Sequence, residues 1–580
     1  MSPQTGRIYD RTRFGRNPVS GISLDIREES IYGLLVSIFN SRLTMSFKPF
    51  AYSAALLSFL SAGAIHAAKP VVGRGDAGSC AGLVGRTIAP ATVIQSATYA
   101  SEGDTVSNIK VAVPFCRVIG VVTPTPDSHI GFEVWLPPVS AWNGDFRGEG
   151  SGGSAGAISP GAMRDALLSG YATMSTDNGH LDDSTGSQTW AFRHPEKRID
   201  WAWRALHLST IAAKVVVRDF YGKASRKNYF ISCSAGSHHA IMEATRFPED
   251  YDGMVGGAAP WKWTGLMFGH TWNSVPALKD PSAVTRESVT ILNRGMVAAC
   301  DTLDGVKDGI IADPRRCTVD PVQFQCSDVQ KTECLTPIQV EAARHIYAGA
   351  TKSDGTRLMP GQVRGTELGW VGLMSGATPG GSSWQFWKLS VFDNPNFDNA
   401  HFDFDKDADR ALATKIGDST LAEVYDESTD LTAFRARGGR FILFQGWADS
   451  TITPLMDLDF YNRIVATYGQ TETDTFLRFF PLPGMGHCGG GVGFSHIGGA
   501  TGAPIKDDPD HDMVRALDAW VKKGKAPSVF IGAHINEKEI TATRPICRYP
   551  LEARYVGHGD TKDGANFVCR PQAQLPPQPM

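Results

Sequence analysis

The sequence predicts an α/β chain, with a mostly parallel sheet broken by one large insertion, on three observations. Strand and helix signals alternate between residues 110 and 260, as parallel strands joined by crossover helices require. The rhythm is lost between 262 and 437, where Gly, Pro and aromatic residues rise and Cys300, Cys317, Cys326 and Cys334 cluster. It returns at Arg440–Gln445 and Thr475–Phe480, two apolar runs that each lead into a polar loop.

Taken in order, Ile130–Leu136 (IGFEVWL) reads as a strand, Asp145–Arg147 as the end of another and Tyr171–Ser175 as a third. Arg198–Tyr221 carries Trp203, Leu206, Ile211, Val215 and Val216 at helical spacing. Asn228–Ser232 is a short strand. Ser237–Arg246 is a helix that stops before Phe247-Pro248, where the residue ahead of proline is pushed out of the helical region. Met513–Lys523 is an amphipathic helix, and the chain beyond it is a tail tied by cysteines. Residues 69–261 and 438–580 are therefore expected to form the body, and 262–437 an inserted lid domain.

With 42% hydrophobic and 20% charged residues, a packed core is expected and disorder is not. A net charge of -4, a pI near 6.4 and the lack of a Lys/Arg-rich run leave no electrostatic footprint for nucleic acid or an anionic membrane. No segment reaches the ~18 uninterrupted apolar residues of a membrane span. Met45-Ser-Phe-Lys48, the apolar run Ala51–Leu60 and the small residues around Ala64, Ala67 and Ala68 have the layout of a secretory signal peptide over 45–68. Residues 1–44 are polar and Arg-rich, and read as an over-called start. The expectation is a secreted or periplasmic protein.

Ten cysteines, all beyond that cleavage point, fit an exported protein with paired thiols. None forms a C-x-x-C pair, which speaks against a Cys-rich zinc site. Proximity pairs Cys80 with Cys116, Cys300 with Cys317, Cys326 with Cys334, and Cys547 with Cys569; Cys233 and Cys488 are left over.

Ser232-Cys-Ser234-Ala-Gly236 lies between a strand and a helix. A nucleophilic serine on a strained strand-to-helix turn needs small neighbours, usually spelled G-x-S-x-G, and here Ser232 takes the first position. Alone, the motif reads equally as an ordinary turn into a helix. A serine nucleophile also needs a base, and the base an orienting acid. In the α/β-hydrolase fold these follow in the order Ser, Asp, His on loops after strands. Asp449, in Gly446-Trp-Ala-Asp449, and His487, in Pro483-Gly-Met-Gly-His487, fit in order and setting. Among rivals, Asp457 and Asp459 fall in a helical run and Asp474 precedes its strand. His238 and His239 fall on the elbow helix, and His496 and His511 read as surface histidines.

The leftover cysteines are a second argument. A disulfide holds its Cα atoms about 5.5 Å apart, and Ser234 and His487 are each one ~3.8 Å step further along. A 233–488 bridge would bring the two side chains into hydrogen-bonding range.

These residues, together with Tyr171–His180 (YATMSTDNGH), Met242–Asp250 (MEATRFPED) and Trp520–Pro527 (WVKKGKAP), resemble the tannase and feruloyl esterase family over most of the mature chain. That family carries a Cys-Ser…Asp…His-Cys arrangement. The local disulfide spacing also resembles its bacterial mono(2-hydroxyethyl) terephthalate hydrolase branch. Ser232 and Ser237 stand where the family usually has glycine. The resemblance implies a serine ester hydrolase acting through an acyl-enzyme, with Ser234, Asp449 and His487 as triad. The residue after the nucleophile, Ala235, supplies one oxyanion N–H. Gly150-Ser-Gly152-Gly153 sits after an early strand, where the second donor is expected; a bare Gly-rich loop also reads as a flexible connector, and the resemblance points to Gly152 or Gly153.

Asp301, Asp304 and Asp308 crowd three carboxylates around two Asp-Gly turns, a pattern shared by plain surface turns and by oxygen-ligated hard cations. The resemblance implies structural Ca2+ in the lid, held by these side chains and by the carbonyls of Val306 and Ile310. Family relatives cleave gallate, ferulate and related aromatic esters. Trp261, Trp263, Trp370, Trp384, Phe386 and Trp387 serve equally as lid core or as a ring-binding wall. Terephthalate-monoester hydrolases hold a free carboxylate with a lid arginine, and between Arg364 and Asp393 this chain has Lys388 as its cation. The expected substrate is thus a small ester of a neutral phenolic acid. A terephthalate-monoester hydrolase and a catalytically inactive binding protein on the same scaffold are the alternatives.

Overall fold

The computed structural model describes residues 74–182, 184–374 and 381–572; the expected extension (1–44) and signal peptide (45–68) lie outside them. The strands of the body are β1 (Thr87–Ala89), β2 (Thr92–Ala100), β3 (Phe115–Val122), β4 (Ile130–Leu136), β5 (Phe146–Glu149), β6 (Ala172–Thr176), β7 (Asn228–Ile231), β8 (Gly253–Gly257), β9 (Arg440–Gly446) and β10 (Leu477–Leu482). They form one sheet in the order β1-β2-β3-β4-β6-β5-β7-β8-β9-β10. The first four strands meander antiparallel and β6 joins β4 antiparallel; from β6 onwards every neighbour is parallel. Strands β5, β6 and β8 are buried along their whole length, as parallel strands covered on both faces must be.

Alternation along β7 sorts the two faces. Phe230 packs with α2 (Ala205–Tyr221) and α3 (Ala235–Arg246). Tyr229 and Ile231 pack with Ala166 of α1 (Pro160–Leu168) and with Leu517 and Trp520 of a helix at Met513–Lys523. Helices on both faces of a largely parallel sheet, with the β5/β6 order reversal at its centre, make this an α/β-hydrolase fold.

Three segments differ from the sequence reading. The helix expected over Arg198–Tyr221 is interrupted by a π-turn at Asp200–Arg204. Such a turn displaces carbonyls from the regular ladder, and those of Trp201 and Ala202 accept from His239 and His238 of α3. Thr475 and Phe476 end a helix, Gln470–Phe476, and the strand starts at Leu477. The tail is two hairpins, Val529–Asn536 with Glu539–Cys547 and Leu551–Tyr555 with Phe567–Pro571, joined by the Cys547–Cys569 bridge.

The long insertion leaves the sheet after β8 and returns at β9, which pair in parallel from Gly253↔Arg440 to Gly257↔Phe444. Its neck is clasped. Glu427 N–H donates to the Trp261 carbonyl at 3.0 Å, and the Asp426 carboxylate accepts from Thr264 N at 2.9 Å and Thr264 Oγ1 at 2.5 Å. The first of these satisfies a main-chain N–H in the opening turn of α4 (Trp263–Lys279), the first helix of the insertion. The helix α5 (Arg286–Cys300) follows, braced at its end by Cys300–Cys317.

Candidate active site

Strand β7 ends at Ile231, and three residues later Ser234 sits at φ 61°, ψ -135°, immediately before α3. This is sparsely populated backbone for a residue with a Cβ, held here by surrounding structure. Ser234 N–H donates to the Gly257 carbonyl at the end of β8, and the N–H groups of Ser237 and His238 return to the Ser234 carbonyl. Gly236 allows the turn: a Cβ there would lie 2.9 Å from Ser232 Cβ and 3.0 Å from the Ser151 carbonyl oxygen. The two serines in place of family glycines act as a pair. Ser237 Oγ accepts from Gly257 N at 2.8 Å and lies 3.3 Å from Ser232 Oγ, so the extra hydroxyls satisfy each other and tie the elbow to β8.

His487 follows β10 and Asp449 follows β9. His487 Nε2 is 3.0 Å from Ser234 Oγ, and His487 Nδ1 is 2.8 Å from Asp449 Oδ2. Asp449 is fully buried. Its Oδ1 accepts from the N–H groups of Thr451 and Ile452 at 2.8 and 3.0 Å, and its Oδ2 from Gln445 Nε2 at 3.2 Å. Burial pulls the His487 pKa down, but the charge and hydrogen bond of Asp449 outweigh it and the net shift is upward. Gly446 lets the two loops touch, since a Cβ there would meet the Met485 and Gly486 carbonyls at 2.3 and 2.5 Å. Cys233 and Cys488 are bonded with Cα atoms 5.9 Å apart, and the other four bridges are those expected from spacing.

The rivals lie elsewhere. Asp457 is buried on a helix (Pro454–Tyr468) and accepts from Ala259 N, Asp459 on the same helix pairs with Arg463, and Asp474 pairs with Arg548. His238 is buried against Glu427. His496 and His511, expected at the surface, are half-buried: His496 bonds the Ala533 carbonyl of a tail hairpin and His511 bonds Asp508.

The Ala235 N–H, at the first position of α3, has no acceptor among the described residues. Across from it runs the loop Gly150–Ala155, stitched to the elbow by Gly236 N–H on the Ser151 carbonyl. Gly152 faces open space, whereas Gly153, at φ +58°, is pressed against Thr185. Two residues of the Tyr171–His180 stretch hold this loop. Asn178 Nδ2 donates to Ser151 Oγ at 2.7 Å and to the Ala155 carbonyl at 3.0 Å, and His180 Nε2 bonds the Ser154 carbonyl at 2.9 Å. Burial lowers His180 to about 4, so its ring is neutral and the contacting nitrogen is the donor. Neither role was marked by spacing.

Ser234, His487, Gly152 and Gly153 open on a cavity of about 1460 Å³. Of the six aromatics expected as core or wall, Trp263 lines it, together with Leu266, Met267 and His270 of α4. Trp384, Phe386 and Trp387 are buried, Trp387 against Phe268 and Phe402. Trp370 packs on Tyr347, and Trp261 on Phe460. Lys388 does not line the cavity; its ammonium lies over the Trp384 ring. The arginines that do, Arg147, Arg164 and Arg515, are ion-paired with Glu149, Asp165 and Asp507.

At the end of α5, each acidic side chain of the Asp301–Ile310 loop gives one oxygen to the loop's own N–H groups. Asp301 Oδ1 accepts from Asp308 and Gly309, Asp304 Oδ1 from Val306, and Asp308 Oδ1 from Ile310. Asp308 Oδ2 pairs with Arg544 at 2.8 Å. Oδ2 of Asp301 and of Asp304 and the carbonyls of Val306 and Ile310 have no N–H partner among the described residues. Burial pushes the Asp304 and Asp308 pKa values up, with charge repulsion inside the loop adding to it. By type, these carboxylate and carbonyl oxygens are the ligands a hard cation such as calcium takes. The loop is remote in sequence from Ser234, yet Ile310 packs against Gly484 and Met485 of the His487 loop. The ligand atoms of His207, Glu243 and Asp250 do lie within 4.8 Å of one another; there His207 Nδ1 and Lys214 Nζ engage the two oxygens of Asp250 at 2.7 and 2.9 Å.

Residues 116–570 match the tannase and feruloyl esterase family. An uncharacterized esterase of Xanthomonas campestris is 34% identical over 85% of this chain and 91% of its own length. A probable feruloyl esterase B-1 of Aspergillus oryzae is 31% identical over 78% of this chain and 84% of its own. The crystal structure of feruloyl esterase B from Aspergillus oryzae superposes with a TM-score of 0.79 at 29% identity, covering 85% of this chain and all of that one. A match of this extent, on an α/β-hydrolase sheet, means that the chain belongs to the tannase and feruloyl esterase family and is a carboxylic ester hydrolase.

Proposed function

We propose that this esterase is an exported serine hydrolase of neutral phenolic esters, with the segment 262–437 as a lid over its acyl side. The observation that carries the serine mechanism is the continuous hydrogen-bonded chain Asp449–His487–Ser234 opening on the cavity. His487 Nε2 takes the Ser234 proton as Oγ attacks the ester carbonyl. Asp449, buried and held by three N–H donors, keeps the imidazole oriented and favours its protonated form. Ala235 N–H, with Gly152 or Gly153, receives the developing oxyanion, worth about 3 kcal/mol per donor in comparable sites. His487 then returns the proton to the leaving alcohol, and water repeats the sequence on the acyl-enzyme.

A neutral acyl group is supported by the pairing of Arg147, Arg164 and Arg515, the arginines on the cavity among the described residues, and by the position of Lys388 outside it. Five disulfides suit an oxidising compartment. The test is a hydrolysis panel of methyl ferulate, methyl gallate and a terephthalate monoester. Turnover of the phenolic esters above the terephthalate monoester is expected. The reverse order would assign the terephthalate reading, no turnover of any would reject an aromatic acyl group, and a further failure to cleave p-nitrophenyl acetate would leave a binding protein on the scaffold.

The Asp301–Ile310 loop is proposed to hold a structural Ca2+ through Asp301, Asp304 and Asp308 and the carbonyls of Val306 and Ile310. A ligand at a thousandfold excess over its Kd stabilises the folded state by roughly 4 kcal/mol, a shift of a few degrees for a chain of this size. Chelation, or Asp304→Ala, should lower the melting temperature by that amount. Identical melting curves with and without chelator, and no calcium by elemental analysis, would reject the site.

A further inference from the structure

We infer that His270 is the residue by which the acyl side of the cavity recognises a phenolic hydroxyl, its unshared ring nitrogen accepting a hydrogen bond from that group. The inference rests on the aromatic-ester reading above and adds the atom that selects among aromatic acids.

Placement comes first. Trp263, Leu266, Met267 and His270 recur at i, i+3, i+4 and i+7 on α4, which puts them on one helix face. All four line the cavity that holds Ser234 and His487. Trp263, Leu266 and Met267 form an apolar strip on which an aromatic ring can lie, and His270 closes it with an ionisable ring.

The bonding of His270 then settles what that ring offers. Its Nε2 is 2.8 Å from the Thr451 carbonyl oxygen. A carbonyl only accepts, so Nε2 carries the hydrogen. Burial depresses the His270 pKa, the Thr451 carbonyl opposes this, and the neighbouring His487 pushes it further down. A neutral imidazole with hydrogen on Nε2 has a bare lone pair on Nδ1, and Nδ1 has no partner among the described residues. A hydroxyl on the acyl ring can donate to it. A methoxy group or a hydrogen in the same place cannot, and leaves the nitrogen both desolvated and unpaired. A site built to hydrogen-bond a hydroxyl discriminates against analogues without it far better than an apolar pocket discriminates by size. Thr451 links the two halves of the site, because its N–H donates to Asp449 Oδ1 while its carbonyl fixes His270.

The test compares kcat/KM for matched pairs, methyl 4-hydroxycinnamate against methyl 4-methoxycinnamate and the corresponding benzoates. In at least one series the wild-type protein should favour the hydroxy member by about tenfold or more, the worth of one buried hydrogen bond. His270→Phe should bring that ratio to about one. His270→Gln, whose amide can donate to Thr451 and whose oxygen can accept, should retain a preference. Damage passed through Thr451 to Asp449 would slow both members alike and cancels in the ratio. If the Phe variant does not fold, His270→Ala reads the same quantity. No hydroxyl preference in wild type, or an unchanged ratio in the folded Phe or Ala variant, overturns the assignment. Failure to hydrolyse any of these aromatic esters while p-nitrophenyl acetate is still cleaved would instead overturn the parent reading.

Discussion

Replacing Ser234 with alanine should lower kcat for ester hydrolysis by about a millionfold, the loss seen when the nucleophile of such a triad is removed. The Ala235 N–H, the glycine loop and the cavity walls remain, so a residual rate above the uncatalysed reaction is expected. The fold should be unaffected. The elbow is held by main-chain bonds from Ser234 N to Gly257 and from Ser237 and His238 to the Ser234 carbonyl, none of which involves the hydroxyl. Steady-state rates beside far-ultraviolet circular dichroism check both halves of the expectation. A folded variant keeping more than a tenth of wild-type kcat would remove Ser234 from the mechanism.

The second large effect concerns the bridge between the elbow and the histidine loop. Cys233–Cys488 closes 255 residues, and chain entropy assigns a loop of that size roughly 5 kcal/mol, often less in practice. Four other bridges and a large core persist when it is removed, so secondary structure should survive in the Cys233→Ala/Cys488→Ala variant. Activity should not survive to the same degree. Ser234 and His487 sit on separate loops, and a displacement of about 1 Å between reacting groups can cost around a hundredfold in rate. A fall in kcat of that order with retained circular dichroism is the expected result. Full activity in the double variant, or a free thiol at either position in a non-reduced digest, would show that the bridge does not set the spacing.

Much of the sheet was legible because β4, β7 and β9 are largely apolar runs buried almost throughout, and the helix Met513–Lys523 carries a period that matches its burial. The three side chains that meet at Ser234 were legible for a different reason: their order along the chain, and the cysteines beside two of them, constrain space directly. What escaped was set by tertiary contact. The π-turn at Asp200–Arg204 carries the carbonyls that accept from His238 and His239, and nothing in the spacing of Trp203 and Leu206 signals it. The strand β5 carries both Arg147 and Glu149, whereas the sequence reading ended that strand at Arg147. They are buried there because they pair with each other. Asn178 and His180 were visible as part of a matching stretch, with no sign that they brace the glycine loop. His270 lies in a helix buried on most sides, so no amphipathic stripe marks the face that meets the cavity. Composition likewise could not separate Trp263 on the wall from Trp370, Trp384 and Trp387 in the interior.

The clasp at the neck of the insertion bears on how such a protein can change. Thr264 on Asp426 and Glu427 on Trp261 bring the departing and returning chains together outside the sheet. Whatever length of chain lies between them, β8 and β9 meet the same two ends at the same separation. Loop-closure entropy rises only slowly with length, by about 0.6 kcal/mol per doubling. The part of the cavity wall that the insertion supplies can therefore gain or lose whole segments while Ser234, Asp449 and His487 stay where they are. Substrate range and catalytic geometry are thus carried by parts of the chain that can diverge at different rates.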